Sequence, residues 1–223
     1  MANTVDKSVA FIKPQLDQKL ESKTQTPLVV GIEGPQGSGK TTSATNIRKK
    51  IQDLYPQCNI RGLPGTHDIK LLLETFQILI ENKEESYPVQ IPIYDKSKHN
   101  GLGDRLEKNE WTIVAKKVDL IIFEGWFNGY VSISNDDSLI SKWKRINTEF
   151  PEKFKGLSEK NIVDINNNLK PYEKVWNLFH LFVCIKTPDI NNVYRWRLQQ
   201  EHELVKIKGK GMSDVEVEKF VDR

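Results

Sequence analysis

Short continuous apolar runs alternate along this chain with stretches whose apolar residues recur every three or four positions. The runs are Leu28-Val29-Val30-Gly31-Ile32, Val118-Asp119-Leu120-Ile121-Ile122-Phe123 and Phe179-His180-Leu181-Phe182-Val183-Cys184-Ile185. Such a run reads as a strand buried on both faces, the environment of a parallel sheet. After the first run, Ala44, Ile47, Ile51 and Leu54 fall on one helical face. Ile69, Leu72, Leu73, Phe76, Leu79 and Ile80 fall on another, with Asp68 or Thr66 as its N-cap and a stop near Asn82. Strands alternating with helices predict an α/β domain.

Weaker patterns fill the rest. Val5, Val9, Ile12, Leu16 and Leu20 keep helical spacing in residues 1–26, but Pro14 interrupts them, which predicts two short turns or a kinked helix. Val89 to Tyr94 alternates like a strand that Pro92 confines to a sheet margin, and Trp111 to Val114 allows a short strand. Residues 131–177 are polar with scattered aromatics and read as helices and loops over one face of the sheet. Val193 to Val205 predicts a helix broken by Gly209, Gly211 and Ser213, and Asp214 to Val221 a last short one. One interval breaks the alternation. Only Gln57, Cys58, Asn59 and Ile60 separate the first long helix from the loop beginning at Arg61. That is too short for a return to the sheet, so a strand is expected to be missing.

Composition narrows the class. A chain of 223 residues can bury one good core, and no repeat or linker divides it, so 1–223 reads as a single domain. A net charge of +3 does not point to nucleic acid, and the basic run Lys206 to Lys210 reads as a solvated loop. Cys58 and Cys184 are the two cysteines, which suits a reducing compartment. No stretch reaches membrane-span length and the N-terminus lacks a signal-peptide core. The expectation is a soluble protein of the cytoplasm, with the nucleus open.

Chemistry concentrates after the first strand. Gly34-Pro35-Gln36-Gly37-Ser38-Gly39-Lys40-Thr41-Thr42 is G-x-x-x-x-G-K-T, a Walker A phosphate loop between a strand and a helix. Its glycines admit positive φ, its N–H groups can line a nest for phosphate oxygens, and the helix N-terminus adds positive potential. Lys40 would place a charge between the last two phosphates, and the Thr41 hydroxyl would ligate Mg²⁺. Glu124 closes the second apolar run. At the carboxyl end of a parallel strand beside the loop it is a Mg²⁺ or water ligand, or a carboxylate that merely caps the strand. The polar stretch Asp95 to Arg105 reads as a binding loop or an ordinary exposed turn. His180 reads as a packed or strand-end histidine.

Five segments together resemble the P-loop kinases of the plant D-glycerate 3-kinase type and their fungal ATP-binding homologues. They are Gly34 to Lys40, Arg61-Gly-Leu-Pro-Gly-Thr-His-Asp68, Tyr94 to Ser97 with Gly103 to Arg105, Glu124 to Phe127, and Asn191 to Glu201 continuing to Gly209–Ser213. The Walker A alone says only NTP; the other four are specific. The resemblance implies a P-loop NTPase fold like uridine and pantothenate kinases, a parallel sheet with helices on both faces. It implies ATP and Mg²⁺, and a lid over residues 195–213 whose arginines close on the phosphates, with Arg197, and then Arg195, at that position. Lys40 and Arg197 are then catalytic. It also puts Arg61, His67, Asp95, Lys96, Asp104 and Arg105 on the acceptor side.

The chain departs from that pattern twice. The family carries a strand ending in Asp-Asp-Phe-Tyr between the first helix and the Arg-Gly-Leu-Pro-Gly loop, and its aspartate is the candidate base for the acceptor hydroxyl. It also continues past Phe220-Val221-Asp222-Arg223 with further elements. The first reading is a kinase acting on a small hydroxy acid such as D-glycerate, an anion that Lys96 and Arg105 suit. The second is an ATP-binding protein without turnover, used in regulation or interaction. Membrane and nucleic-acid partners are not expected.

Overall fold

The computed structural model describes residues 4–35, 37–51, 58–59, 64–95, 98, 104–209 and 211–221. Its centre is a four-stranded parallel sheet. β1 (Leu28–Glu33) lies between β7 (Leu120–Gly125) and β8 (Leu181–Cys184), and β2 (Cys58–Asn59) borders β7, giving the order β2-β7-β1-β8. Every residue of β1 and of β7 is buried, as their continuous apolar runs require.

Helices cover both faces. α1 (Thr4–Glu21) packs on α2 (Lys40–Ile51), and Ile12, Leu16, Ala44 and Ile47 are buried there. Successive strand residues point to opposite faces. Glu124 of β7 therefore meets Thr41 of α2, while its neighbour Phe123 meets Phe76 of α3 (Ile69–Glu81) and Trp176 of α5 (Glu159–Trp176), with ring centroids 5.2 and 6.4 Å away. α4 (Asp136–Glu149) packs on α5, so residues 131–177 form the expected helical cover. α6 (Asn192–Lys208) and α7 (Asp214–Val221) follow β8.

Four expectations are corrected. The third apolar run is not buried on both faces: β8 is the edge of the sheet and leaves Phe182 and Cys184 exposed. The sheet does receive a strand before the Arg61 loop: Cys58 and Asn59 run parallel to β7, with Asn59 in register with Glu124. Two residues suffice because β7 is already fixed against β1 and offers its free edge. Leu54 and the rest of 52–57 lie outside the described residues. Of the two readings of residues 1–26, the two short turns fall: α1 runs through Pro14 from Thr4 to Glu21, its buried side holding Ser8, Ile12 and Leu16 against the core. Tertiary packing here outweighs the one backbone donor that proline removes. Finally, 89–105 is not one strand and a loop. β3 (Val89–Ile91) pairs antiparallel with β6 (Thr112–Val114), Pro92 stands outside any strand, and β4 (Tyr94–Asp95) pairs antiparallel with β5 (Asp104–Arg105). The second ladder brings Tyr94 opposite Arg105 and Asp95 opposite Asp104.

Candidate active site

The phosphate loop leaves β1 at its buried carboxyl end and turns into α2. Gly37 has φ +76° and Gly39 φ +79°, the left-handed values the motif requires. The hydroxyl of Ser38 is buried and has no hydrogen-bond partner among the described residues. A buried hydroxyl left so is unfavourable, and an anion in the loop would satisfy it. Lys40 folds back over the loop, with Nζ donating to the Pro35 carbonyl at 2.7 Å. Gly34 is buried, and Thr41 and Thr42 are exposed at the start of α2. Gln36 lies outside the described residues.

Thr41 and Glu124 come together: Oγ1 donates to Oε1 at 2.6 Å. Glu124 is 3 % exposed, so its carboxylate is held inside the mouth of the sheet rather than spread into solvent. Hydroxyl and carboxylate oxygens are hard donors of the kind Mg²⁺ takes, and that ion typically completes its shell with waters and substrate phosphates. Two protein oxygens beside a phosphate loop therefore fit it.

The segment after β7 links this mouth to the Arg61 loop. Phe127 is buried, and its ring lies 5.9 Å from that of His67 and 5.2 Å from that of Tyr172 on α5. Tyr172 is 0 % exposed. Its hydroxyl lies 2.5 Å from His67 Nδ1 and accepts the Gly65 N–H at 3.0 Å. Burial pushes the phenol pKa up, so the hydroxyl stays protonated. His67 is thereby fixed at the carboxyl side of the sheet. Asp68 caps α3 by accepting the Leu71 N–H at 3.0 Å, and takes Arg105 Nη1 at 2.9 Å. The Leu71 bond and then the Arg105 guanidinium hold its carboxyl below the usual range. Arg105 thus ties the β4–β5 ladder to the cap of α3 beside an open groove of about 560 Å³. Asp95 and Asp104 are opposite each other across the β4–β5 ladder. Arg61 and Lys96 lie outside the described residues.

α6 rests on the loop. A Cβ added to Gly37 would lie 2.5 Å from Cβ of Trp196 and 3.3 Å from the backbone nitrogen of Arg197. Arg197 is paired with Glu201, Nη2 to Oε2 at 2.7 Å, while Arg195 is exposed. Three contacts are thus close together in the chain's fold: Thr41 with Glu124, Gly37 with the Trp196–Arg197 turn, and His67 with Phe127 and Tyr172. Tyr172, and Glu201 as the partner of Arg197, take part in them, although the sequence reading passed over both. Glu201 was visible as an i,i+4 partner of Arg197. Tyr172 carried no signal, since it lies 105 positions from His67.

The chain is 33 % identical to an uncharacterized kinase, mug58, of Schizosaccharomyces pombe, over 98 % of this chain and 84 % of the relative. It is 31 % identical to the chloroplastic D-glycerate 3-kinase of Arabidopsis thaliana over 88 % of this chain and 46 % of that one. The structure of a D-glycerate 3-kinase from Cryptococcus neoformans matches with a TM-score of 0.86 at 30 % identity, covering 100 % of this chain and 86 % of that one. The chain belongs to the P-loop kinase family of D-glycerate 3-kinase and its fungal homologues.

No family model matches the chain. The kinase relatives nonetheless place its strand order and loop in the P-loop NTPase fold. The match to the fission-yeast kinase runs over 253 positions against the 223 residues of this chain, so at least 30 of them (253 − 223) have no counterpart here. Among the described residues, no helix of this family member is long and apolar enough to cross a membrane.

Proposed function

We propose that this chain transfers the γ-phosphoryl group of ATP to a hydroxyl of a small acidic metabolite such as D-glycerate. The observation that carries the reading is the Thr41–Glu124 contact at the mouth of the phosphate loop. The N–H groups of Gly37 to Lys40 would hold the β-phosphate. Lys40 would leave the Pro35 carbonyl to neutralise the moving group, and Arg197 would add charge from α6. Thr41 and Glu124 would hold Mg²⁺, which supplies charge neutralisation at the phosphates. Residues 195–213 would act as the lid. The acceptor would meet His67, held by Tyr172, Arg105, held by Asp68, and Asp95 and Asp104 across their ladder. Similarity to enzymes named D-glycerate 3-kinase supports a hydroxy-acid acceptor.

A second reading, ATP binding without turnover, is favoured by one observation. β2 is two residues long, and the family match leaves at least 30 positions (253 − 223) without counterpart. By the resemblance, the carboxylate for proton transfer belongs between the first long helix and the segment beginning at Arg61, where this chain has only Gln57 to Ile60. General-base assistance is typically worth about 10²–10⁴ in rate.

Calorimetry with ATP and Mg²⁺, followed by transfer of labelled γ-phosphate to D-glycerate, separates the two. Both expect ATP binding that Lys40→Ala weakens by about 1.5–3 kcal/mol. Turnover of about 1 s⁻¹ or more, the ordinary kinase range, supports the first reading and points to Asp95 or Asp104 as the base. Binding with no transfer to any small hydroxy acid supports the second. Equal ATP binding by wild type and Lys40→Ala rules out both.

A further inference from the structure

One buried carboxylate closes the hairpin formed by α6 and α7. Glu201 is 3 % exposed. Its Oε1 accepts the N–H of Met212 at 2.9 Å, and its Oε2 lies 2.7 Å from Nη2 of Arg197, one turn earlier. The returning chain can cross Glu201 because residue 211 is glycine. A Cβ there would lie 2.9 Å from Oε1 and 2.7 Å from Cγ2 of Val205. On the other side of the same turn, Trp196 rests on Gly37 of the phosphate loop. Arg197 therefore leaves the helix between the loop contact and the buried carboxylate.

We propose that Glu201 is a positioning residue for Arg197. It holds the guanidinium by one edge, so that the arginine meets the γ-phosphate of ATP already oriented, and it ties the 211–213 segment to the same turn. This rests on the reading of the chain as an ATP-dependent kinase. The opposite arrangement would make Glu201 a competitor that phosphate must displace. Burial decides between them. Removing the cation from a buried carboxylate strands an uncompensated charge, one of the costlier single changes in a protein. A phosphate that pulled Arg197 away would meet that cost at every binding event. A guanidinium carries five N–H donors in a fixed fork, enough to serve a carboxylate on one edge and a phosphate on another.

The test compares ATP with ADP, which lacks the γ-phosphate, by calorimetry with Mg²⁺. Arg197→Ala is expected to weaken ATP about tenfold, the low end for a charge-assisted contact, and to leave ADP nearly unchanged. Glu201→Gln, which keeps an acceptor for Met212, should weaken ATP about threefold or more, as coupled members of one ion-pair network do, again sparing ADP. Glu201→Asp keeps the charge and shortens the side chain, and should act in the same direction if Glu201→Gln fails to fold. Neither change should matter further in an Arg197→Ala background. Three results overturn the proposal while leaving the kinase reading standing. They are wild-type or tighter ATP affinity in both Glu201 variants, equal loss of ATP and ADP, and an undiminished Glu201 effect without Arg197. Failure of the wild type to bind either nucleotide overturns the kinase reading together with the proposal.

Discussion

Thr41 and Glu124 are 83 positions apart in the chain and 2.6 Å apart in space, with the hydroxyl of one donating to the carboxylate of the other. One residue lies in the first turn of α2 and the other near the carboxyl end of β7, so the contact joins the phosphate loop to the neighbouring strand. Glu124→Gln keeps an acceptor for Thr41 and removes the charge. It should leave the fold intact and weaken ATP binding in Mg²⁺ by about 1.5–3 kcal/mol, with no change when the metal is chelated. Calorimetry under both conditions checks this. A loss of equal size in chelator would make Glu124 a strand cap only.

The contact between Gly37 and α6 can be separated from backbone strain. Gly37 and Gly39 share nearly the same φ, but a Cβ on Gly37 meets Trp196 at 2.5 Å while one on Gly39 meets nothing within 4 Å. Alanine at either position should cost about 1 kcal/mol or more of stability from strain. Only Gly37→Ala should also raise hydrogen exchange in α6. Matching exchange in the two variants would remove α6 from the loop in solution.

If 195–213 is a lid, saturating ATP should slow proteolysis within it. Gly209, with φ +69°, ends α6 and supplies the bend where the segment could move. Limited digestion with and without nucleotide, read by mass, is the measurement; identical cleavage patterns would count against a lid.

Asn82 fastens the far side of the sheet. It ends α3 with φ 51° and is 5 % exposed. Its Nδ2 donates to the carbonyls of Gln25 and Val118, and its Oδ1 accepts from Val118 N–H and the Tyr87 hydroxyl. Asn82→Ala leaves these groups without partners and should cost about 2–4 kcal/mol. Urea unfolding should show a lower midpoint with an unchanged slope; a midpoint within error of wild type would refute the assignment.

His180 gives the fold a pH dependence. Its Nδ1 accepts the Val29 N–H at 3.0 Å, which needs the neutral ring. Although the residue is exposed, desolvation of the ring edge facing Val29, and then the charge of Lys19, push its pKa below the ordinary value. A histidine with a depressed folded pKa contributes stability above its unfolded value, near 6.5, and loses it as pH falls through the folded one, because the unfolded chain then binds more protons. The melting temperature should fall as the pH drops below about 6.5. His180→Gln, which can accept the same bond without titrating, should flatten that slope. An unaltered slope would assign it to other groups.

The sequence by itself determined the sheet's central strands, the phosphate loop and the helix that follows it. These are local: β1 and β7 are apolar because both their faces are covered, and the loop needs its glycines wherever it occurs. Asp68 as a cap and the Arg197–Glu201 spacing were legible for the same reason. Only the tertiary structure decided what depends on partners distant in sequence. β2 exists because β7 offers an edge, not because Cys58 and Asn59 favour a strand. Pro14 stays helical because its helix is packed on the core. Tyr172 holds His67 although nothing near either residue announces the other, and Arg105 of β5 meets Asp68, the cap of α3, 37 positions away. Such contacts follow from where the sheet brings chain segments together, and local periodicity carries no record of that.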